Sequence, residues 1–571
     1  MKNRPRKSDH APHNSGVPQN SGIPQNSGIV PNIATSFAIN LVLVAVAVLL
    51  FVASFPNRLV QNGLPFLAWI AYVPVFVLLR RVGLAASIFW GALYGYACYA
   101  LFNYWLGAFH PLAGVIVNSI YLVYMAAVFF ALRLAVVFFP RRAYIVQWAI
   151  WLAYEYLRTL GFLGYAYGIT GYSQWQAIPL IQIAGIFGVW GVSALVVFPS
   201  AWLGAAVNKV DLGGSVALGN TATFAGIVDF FRSEKVSAIA WAAALVAALG
   251  YGLAAPSDYS SARQANIALI QHNTDPWKGG ILEYRNNFVR LRRLSDRALA
   301  AEPKPDMVVW SETAFVPRIY WHQIHRYDQA SWLLVKDLLD YLAVQDVPFV
   351  IGNDDARMDP AKDPNAEDGY RVDYNAVMLY ERGENTGIYR KLHLVPFTEN
   401  FPFRKQFPAI YEALLSNDTH FWEQGTEATV FDGPGFAFST PICFEDTFGY
   451  LSRRFVQNGA ELIVNLSNDA WSQSLPAQNQ HLTMAVFRAV ENRRAMVRST
   501  ASGQTCGIDP SGKIIAMAPP LAEAWLTVTV PIVEGKHTLY TRWGDYLGIG
   551  FALSAALLLL FGGIACILRS K

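Results

Sequence analysis

The feature that most constrains this chain is the spacing of its long apolar runs. Stretches of membrane-spanning length recur at roughly 37–55, 63–79, 85–107, 115–139, 144–162, 179–203 and 236–255, and another runs from Tyr546 to Leu568. About 20 helical residues cross a hydrocarbon core, so eight spans are expected. Lysine and arginine test that count, because loops on the cytoplasmic side retain them. The basic N-terminal segment, Arg80 and Arg81, Arg141 and Arg142, the loop from Lys209 to Lys235, and Arg569 to Lys571 all fall on one side of an alternating eight-span path. With that side cytoplasmic, both termini are cytoplasmic and the interval from about Pro256 to Asp545 is extracytoplasmic.

The expected organisation is therefore a tail over 1–35, seven transmembrane helices over 36–255, one large soluble domain over 256–540 and an eighth transmembrane helix over 545–568. The tail holds the near-repeats NSGVPQ, NSGIPQ and NSGIVPN, too rich in Ser, Gly, Pro and Asn to bury a core, and is expected to be disordered. A signal peptide fits less well, because the polar region before the first apolar run is too long and no small-residue cleavage site follows it.

Hydrophobic residues make up 54% of the chain and the net charge is only +4, which argues against a basic nucleic-acid surface. Of four cysteines, Cys98 and Cys566 lie inside apolar runs, where a small buried hydrophobe is the ordinary role. Cys443 and Cys506 belong to no CxxC pair or Cys/His cluster, so neither a zinc site nor any other cofactor is implied. A bridge between these two would silence the better nucleophile.

Between the seventh and eighth runs the pattern becomes that of an α/β domain. Strands are expected at 265–271, 307–310, 348–352, 374–380, 435–441 and 462–466, and helices at 282–301, 331–343 and 478–497. Three motifs place an ionisable or nucleophilic side chain just past an apolar strand, where layered α/β folds build active sites. They are VVWSETAF with Glu312, YRKLHLVPFTENFPF with Lys391 and Glu399, and STPICFEDTF with Cys443 and Glu445. Cysteine attacks ester or amide carbonyls but needs a base for its proton and a cation nearby; Glu312 and Lys391 fill those needs. Lys391 and the N–H after Cys443 also suit an oxyanion, and Glu399 or Glu445 would tune the base. Each motif alone is weak, since an isolated Glu, Lys or Cys is usually surface or core.

The ordered Glu–Lys–Cys set resembles the carbon-nitrogen hydrolase (nitrilase) superfamily, which implies an α-β-β-α sandwich. The spans, together with WLAYEYLRTLGFLGYAYGITGYSQ, IQIAGIFGVWGVS, HLVPFTE, ICFED, NLSNDAW and QHLTMAVFRAVENRR, resemble the bacterial apolipoprotein N-acyltransferases over nearly all the chain after the tail. The resemblance implies Glu312 as general base, Lys391 as oxyanion stabiliser and Cys443 as acyl-accepting nucleophile, with Glu399, Glu445 and Phe444 in support. It implies substrate contacts at Trp277, Asn468 and Trp471. Glu155 and Arg158 in EYLR are ionisable groups within a span; at i and i+3 they either pair with each other or meet phospholipid headgroups. His393 and His481 are expected to make structural hydrogen bonds.

The implied reaction moves an acyl chain from a membrane phospholipid, through a cysteine thioester, to the N-terminal amine of diacylglyceryl-cysteine on an apolipoprotein, in the bacterial inner membrane. The aromatic stretch from Asn400 to Trp422 is either a lid dipping into the interface or a loop packed on the domain. Three departures stand out: Phe444 replaces the usual Tyr, Thr398 the usual Gly, and Ser472 a common aromatic. None touches the triad. Two other functions fit parts of the same pattern: a membrane-anchored amidase or nitrilase whose thioester is resolved by water, and a transporter or scaffold carrying an inactive hydrolase domain.

Overall fold

A computed structural model describes residues 33–109, 111–207, 224–255, 258–359, 371–415, 420–535 and 537–570. The part of the expected tail over 1–32, and much of the Lys209 to Lys235 loop, lie outside the described residues.

Among the described residues six helices are long and apolar enough to cross a membrane: Ile33–Ser54, Leu84–Phe102, Leu112–Phe138, Val189–Val207, Lys235–Ala254 and Tyr546–Arg569. The expected second and fifth runs hold shorter pieces. Pro65 and Pro74 divide the second into a 3-10 turn, Pro65–Trp69, and the 9-residue helix Val73–Arg81. The fifth is the 15-residue helix Ala143–Leu157, with Gly161 in the left-handed region shortly after it. The sixth run does not start its long helix at 179, because Gly188 at φ 65° interrupts it before Val189.

Close helix approach follows from small residues. A Cβ on Gly91 would stand 2.4 Å from Met125 O, and one on Gly95 would stand 2.3 Å from Tyr121 O. The GALYG segment thus lets two apolar helices touch backbone to backbone, as small residues four apart do in membranes. At one end of the bundle the basic loops gather: Arg81 Nε donates to Asn40 Oδ1 at 3.2 Å, Arg80 to Pro140 O at 3.4 Å, and Arg142 lies 3.6 Å from Glu234.

The α/β domain sits on the other end and contains, among the described residues, two six-stranded sheets. The first joins β1 (Arg263–Gln271), β2 (Met307–Trp310), β3 (Phe349–Met358), β4 (Arg371–Glu381) and β5 (Glu384–Arg390). The second contains β6 (Val430–Asp432), β7 (Ala437–Ser439), β8 (Leu462–Ser467), β9 (Ala495–Thr500), β10 (Cys506–Ile508) and β11 (Ile514–Met517). Strand β12 (Ala524–Ile532) returns to pair antiparallel with β1, giving the orders β12-β1-β2-β3-β4-β5 and β11-β10-β9-β8-β7-β6.

Alternation along β1 explains the layering. Ile267 and Leu269 enter the core shared with Leu462, Val464 and Val497 of the second sheet, while Ala268 and Ile270 meet Leu291, Leu334 and Leu338 of the helices Gly280–Ala300 and Gln329–Ala343. Ser499 Oγ of β9 donates to Val309 O of β2 at 3.0 Å, so the sheets face each other directly. The expected α-β-β-α sandwich is present.

One expected helix needs correction. The segment 478–497 is the helix Leu475–Asn492 followed by β9, because Arg493 takes φ 52° and ends the helix. Two charged positions of this helix are turned away from solvent. Arg488 and Glu491 are buried because that face docks on the bundle: Arg488 donates to Tyr172 Oη at 3.0 Å, and Glu491 Oε1 accepts from Val189 N at 3.1 Å. Nearer the helix start, Gln480 accepts from Trp105 Nε1 at 3.0 Å and donates to Pro56 O at 2.9 Å.

Candidate active site

Strand ends bring the expected residues together. Glu312 lies two residues past β2, Lys391 directly follows β5, Cys443 follows β7, and Asn468 directly follows β8. β2 pairs parallel with β1 and β3, and β8 with β7 and β9, while two antiparallel steps through β4 leave β5 running with β3, so these ends point the same way within each sheet. Tight backbone at two points fixes the side chains. Cys443 has φ 49° and Thr313, beside Glu312, has φ 47°, both in the left-handed region that non-glycine residues rarely occupy.

Lys391 is wholly buried, and its Nζ lies 2.8 Å from Glu399 Oε1 and 3.4 Å from Glu312 Oε1. Glu312 also accepts from Asn375 Nδ2 at 2.9 Å and from Asn468 N at 2.8 Å. Glu399 Oε2 accepts from Val395 N at 2.9 Å, so the loop after Lys391 is tied to its own carboxylate. Burial alone would lower the Lys391 pKa; the charges of Glu399 and Glu312 overcome it and hold the ammonium above its ordinary value. Burial raises the Glu399 carboxyl, against the pull of Lys391.

The Cys443 thiol is partly buried. Burial first, and then the charge of Glu312, push its pKa well up, with Lys391 opposing. At rest this side chain is therefore a thiol rather than a thiolate, and a thiol needs a base in order to attack a carbonyl. All four cysteines are free, so Cys443 and Cys506 form no bridge.

Glu445 stands on the other side of the nucleophile. Its carboxylate accepts from Ile442 N at 2.8 Å, Leu392 N at 2.7 Å, His393 N at 2.9 Å and Tyr389 Oη at 2.8 Å. It fastens the cysteine turn to the lysine loop rather than touching Glu312. Phe444 is buried, with ring centroids 5.0 Å from Phe448, 5.9 Å from His393 and 6.5 Å from Tyr165 of the bundle. Trp471 packs on Trp105 at 5.8 Å. Trp277 is 40% exposed, 6.0 Å from Trp422.

Glu155 and Arg158 are not gathered with these residues, and no ion pair within 4 Å joins them among the described residues. Thr170 hydroxyl and N–H donate to Glu155, while Arg158 donates to the hydroxyls of Tyr99 and Tyr121 and to Tyr167 O. Two tyrosine hydroxyls and one backbone carbonyl surround Arg158, which leaves the i, i+3 pairing unused.

Asn375, Asp446, Asp469 and Arg498 carried no distinctive signal in the sequence. Asn375 is a polar residue inside β4, and only that interruption of an apolar strand marks it. His481 Nε2 lies 2.6 Å from Asp446 Oδ1, its Nδ1 lies 3.5 Å from Asp469 Oδ1, and Arg498 pairs with Asp446. Asp446 follows Cys443 by three residues and Asp469 adjoins Asn468, so the two cations tie together the turn that carries Cys443 and the loop that carries Asn468. His481 thus has the structural role expected of it.

Among the described residues no group of three or more His, Cys, Asp or Glu side chains is arranged to hold a metal ion.

Residues 266–538 match the carbon-nitrogen hydrolase family, and residues 46–202 match the apolipoprotein N-acyltransferase N-terminal domain. Apolipoprotein N-acyltransferase 1 of Treponema denticola is 45% identical over 528 residues, covering 90% of this chain and 94% of that protein. Its namesake in Treponema pallidum is 46% identical over 539 residues, covering 93% and 96%. The chain belongs to the apolipoprotein N-acyltransferase family. An apolipoprotein N-acyltransferase of Geobacter metallireducens is 30% identical over 532 residues, covering 89% and 92%. As a member of this family the chain is a membrane-integral N-acyltransferase, and its carbon-nitrogen hydrolase domain suits acyl transfer through cysteine.

Proposed function

We propose that this N-acyltransferase takes an acyl chain from a membrane phospholipid onto Cys443 and passes it to the N-terminal amine of diacylglyceryl-cysteine on apolipoproteins. The observation that carries the reading is the buried set in which Lys391 Nζ lies 3.4 Å from Glu312 and 2.8 Å from Glu399, beside a thiol held protonated until it reacts. As Cys443 Sγ attacks the ester carbonyl, Glu312 takes the thiol proton, and Lys391 faces the oxygen that becomes negative. The intermediate collapses by breaking the ester C–O bond; the departing lysophospholipid oxygen takes the proton from Glu312, leaving a thioester. The incoming amine then attacks the thioester, Glu312 accepts a proton from the nitrogen, and the sulfur leaves and is reprotonated. Asn375 and the Asn468 N–H orient Glu312 throughout. Trp277, Asn468 and Trp471 line the approach as substrate contacts, Phe444 supports the cysteine turn, and Glu155 and Arg158 brace the bundle beneath Tyr165 and Phe444.

Both substrates are lipids, which accounts for a domain seated on a helical bundle. In this reading residues 1–35 are a cytoplasmic tail, 36–255 carry seven passes in which Val73–Arg81 and Ala143–Leu157 count as the second and fifth, 256–540 form the extracytoplasmic domain, and 545–568 make the eighth pass. Support comes from Arg80, Arg81 and Arg142 gathering at the bundle end opposite the domain, as the positive-inside rule demands of a cytoplasmic face.

The test incubates purified protein with a labelled phospholipid and seeks an acyl adduct on Cys443 by mass spectrometry, before and after a diacylglyceryl peptide with a free N-terminus is added. The adduct forms and then discharges onto the peptide. If Cys443→Ala still acylates the peptide, the thioester route is wrong. Free fatty acid without acylated peptide would make the protein a hydrolase.

A further inference from the structure

A half-open cavity of about 440 Å³ lies where the bundle meets the domain, and neither the triad nor its supporting residues use it. Its walls include Arg58, Gln61, Tyr104 and Trp105 from segments that follow two long helices, and Ser474 and Leu521 from the domain. The size suits a small ligand or part of a larger one.

The charge in this cavity is unusual. Arg58 is its single charged residue; among the described residues no carboxylate lies within ion-pair distance of it, and no acidic side chain lines the walls. The guanidinium is held in place nonetheless. Its carbon lies 4.1 Å from the Tyr104 ring centroid, and the Tyr104 hydroxyl is 3.3 Å from Ser474 Oγ. Asn57 Oδ1 accepts from Leu59 N at 2.9 Å and Val60 N at 3.0 Å, so the backbone around Arg58 is a closed turn. A planar cation fixed over an aromatic ring, beside hydroxyl groups and an indole wall, matches a phosphate oxygen pair joined to an apolar body.

Position narrows the ligand. Arg58 comes four residues after Ile33–Ser54 and Tyr104 two residues after Leu84–Phe102, at the end of the bundle that meets the domain. That is the depth of lipid headgroups. The domain wall at Ser474 lies six residues beyond Asn468, whose N–H holds Glu312. We infer that this cavity is an anion subsite in which Arg58 receives the phosphate of the acyl-donor lipid while its ester reaches Cys443. The inference rests on the phospholipid donor proposed above.

The experiment measures Cys443 acylation in detergent micelles of the full chain with two donors: labelled phosphatidylglycerol, and p-nitrophenyl palmitate, which has no phosphate. Arg58→Gln should raise KM for the phospholipid about tenfold and Arg58→Lys by less, with kcat unchanged. KM for p-nitrophenyl palmitate, and discharge of preformed acyl-enzyme onto a diacylglyceryl peptide, should stay at wild-type values. Unchanged KM for the phospholipid, or an equal rise for both donors, overturns the subsite while leaving the donor reading intact. A wild type that accepts palmitate only from the p-nitrophenyl ester overturns both. Inorganic phosphate separates two sources of the group. Competition seen in wild type and lost in Arg58→Gln makes free phosphate a ligand; a donor-specific KM effect without competition confines the cavity to lipid-borne phosphate.

Discussion

Glu445 Oε1 lies 2.7 Å from Leu392 N, joining the turn that carries Cys443 to the loop that carries Lys391. The same carboxylate accepts from Ile442 N at 2.8 Å, so one side chain sets the spacing of nucleophile and cation. Glu445→Gln turns one acceptor oxygen into a donor facing backbone N–H groups. Each charge-assisted bond lost is worth about 1.5–3 kcal/mol. Thioester formation in a single turnover should fall by about tenfold to a hundredfold, while the protein still purifies as a folded monodisperse species. A variant with the wild-type rate would show the staple to be dispensable.

The charge of Glu312 raises the Cys443 thiol pKa, and that of Lys391 lowers it. Removing each should therefore move alkylation in opposite directions. Glu312→Gln should label faster with N-ethylmaleimide at neutral pH than wild type, although it acylates far more slowly; Lys391→Met should label more slowly. Time courses of the Cys443 adduct by mass spectrometry decide the matter, and a slower Glu312→Gln reaction would contradict the assignment of Glu312 as the charge facing the thiol.

His481 offers a pH signature. Burial lowers its pKa, but the charge of Asp446 together with hydrogen bonds to Asp446 and Asp469 overcomes burial and brings it up to about 9. A histidine raised above its unfolded value of about 6.5 contributes fully below that pH and loses the contribution as pH climbs through about 9. Thermal inactivation in micelles should thus shift to lower temperature between pH 7 and pH 9.5, by a loss on the order of 3 kcal/mol. His481→Gln should be less stable at pH 7 and show a flatter profile across that window.

The clustering of Glu312, Lys391 and Cys443 was legible because each follows an apolar strand, a pattern local to the chain. What connects them was not. Asn375 reaches Glu312 across 63 positions. His481 and Arg498 meet Asp446 across 35 and 52. Such pairs arise only once the sheets stack. The role of Glu445 as a fastener was missed for the same reason, since a carboxylate near a cysteine suggests tuning until its donors are seen. In the bundle, hydropathy located the apolar runs but not where Pro74 and Gly188 would start helices. It was equally blind to Tyr99 and Tyr121, which draw Arg158 away from Glu155.

Gly352 tests how closely the base must be held. It lies in β3 beside the turn that follows β2, and a Cβ there would stand 2.4 Å from Ser311 O, 2.6 Å from Thr313 N and 2.7 Å from Glu312 Cα. All three are backbone atoms, so no side-chain rotation relieves the contact, and Thr313 already sits at φ 47°. Gly352→Ala must displace Glu312. A shift of about 1 Å in a catalytic group costs about a hundredfold in rate, so kcat should fall by that order while KM for the lipid donor holds. Gly107→Ala, where a Cβ meets no atom within 4 Å, is the matched control and should leave kcat unchanged. Equal kcat in the two variants would mean that the turn adapts and that Glu312 tolerates the movement.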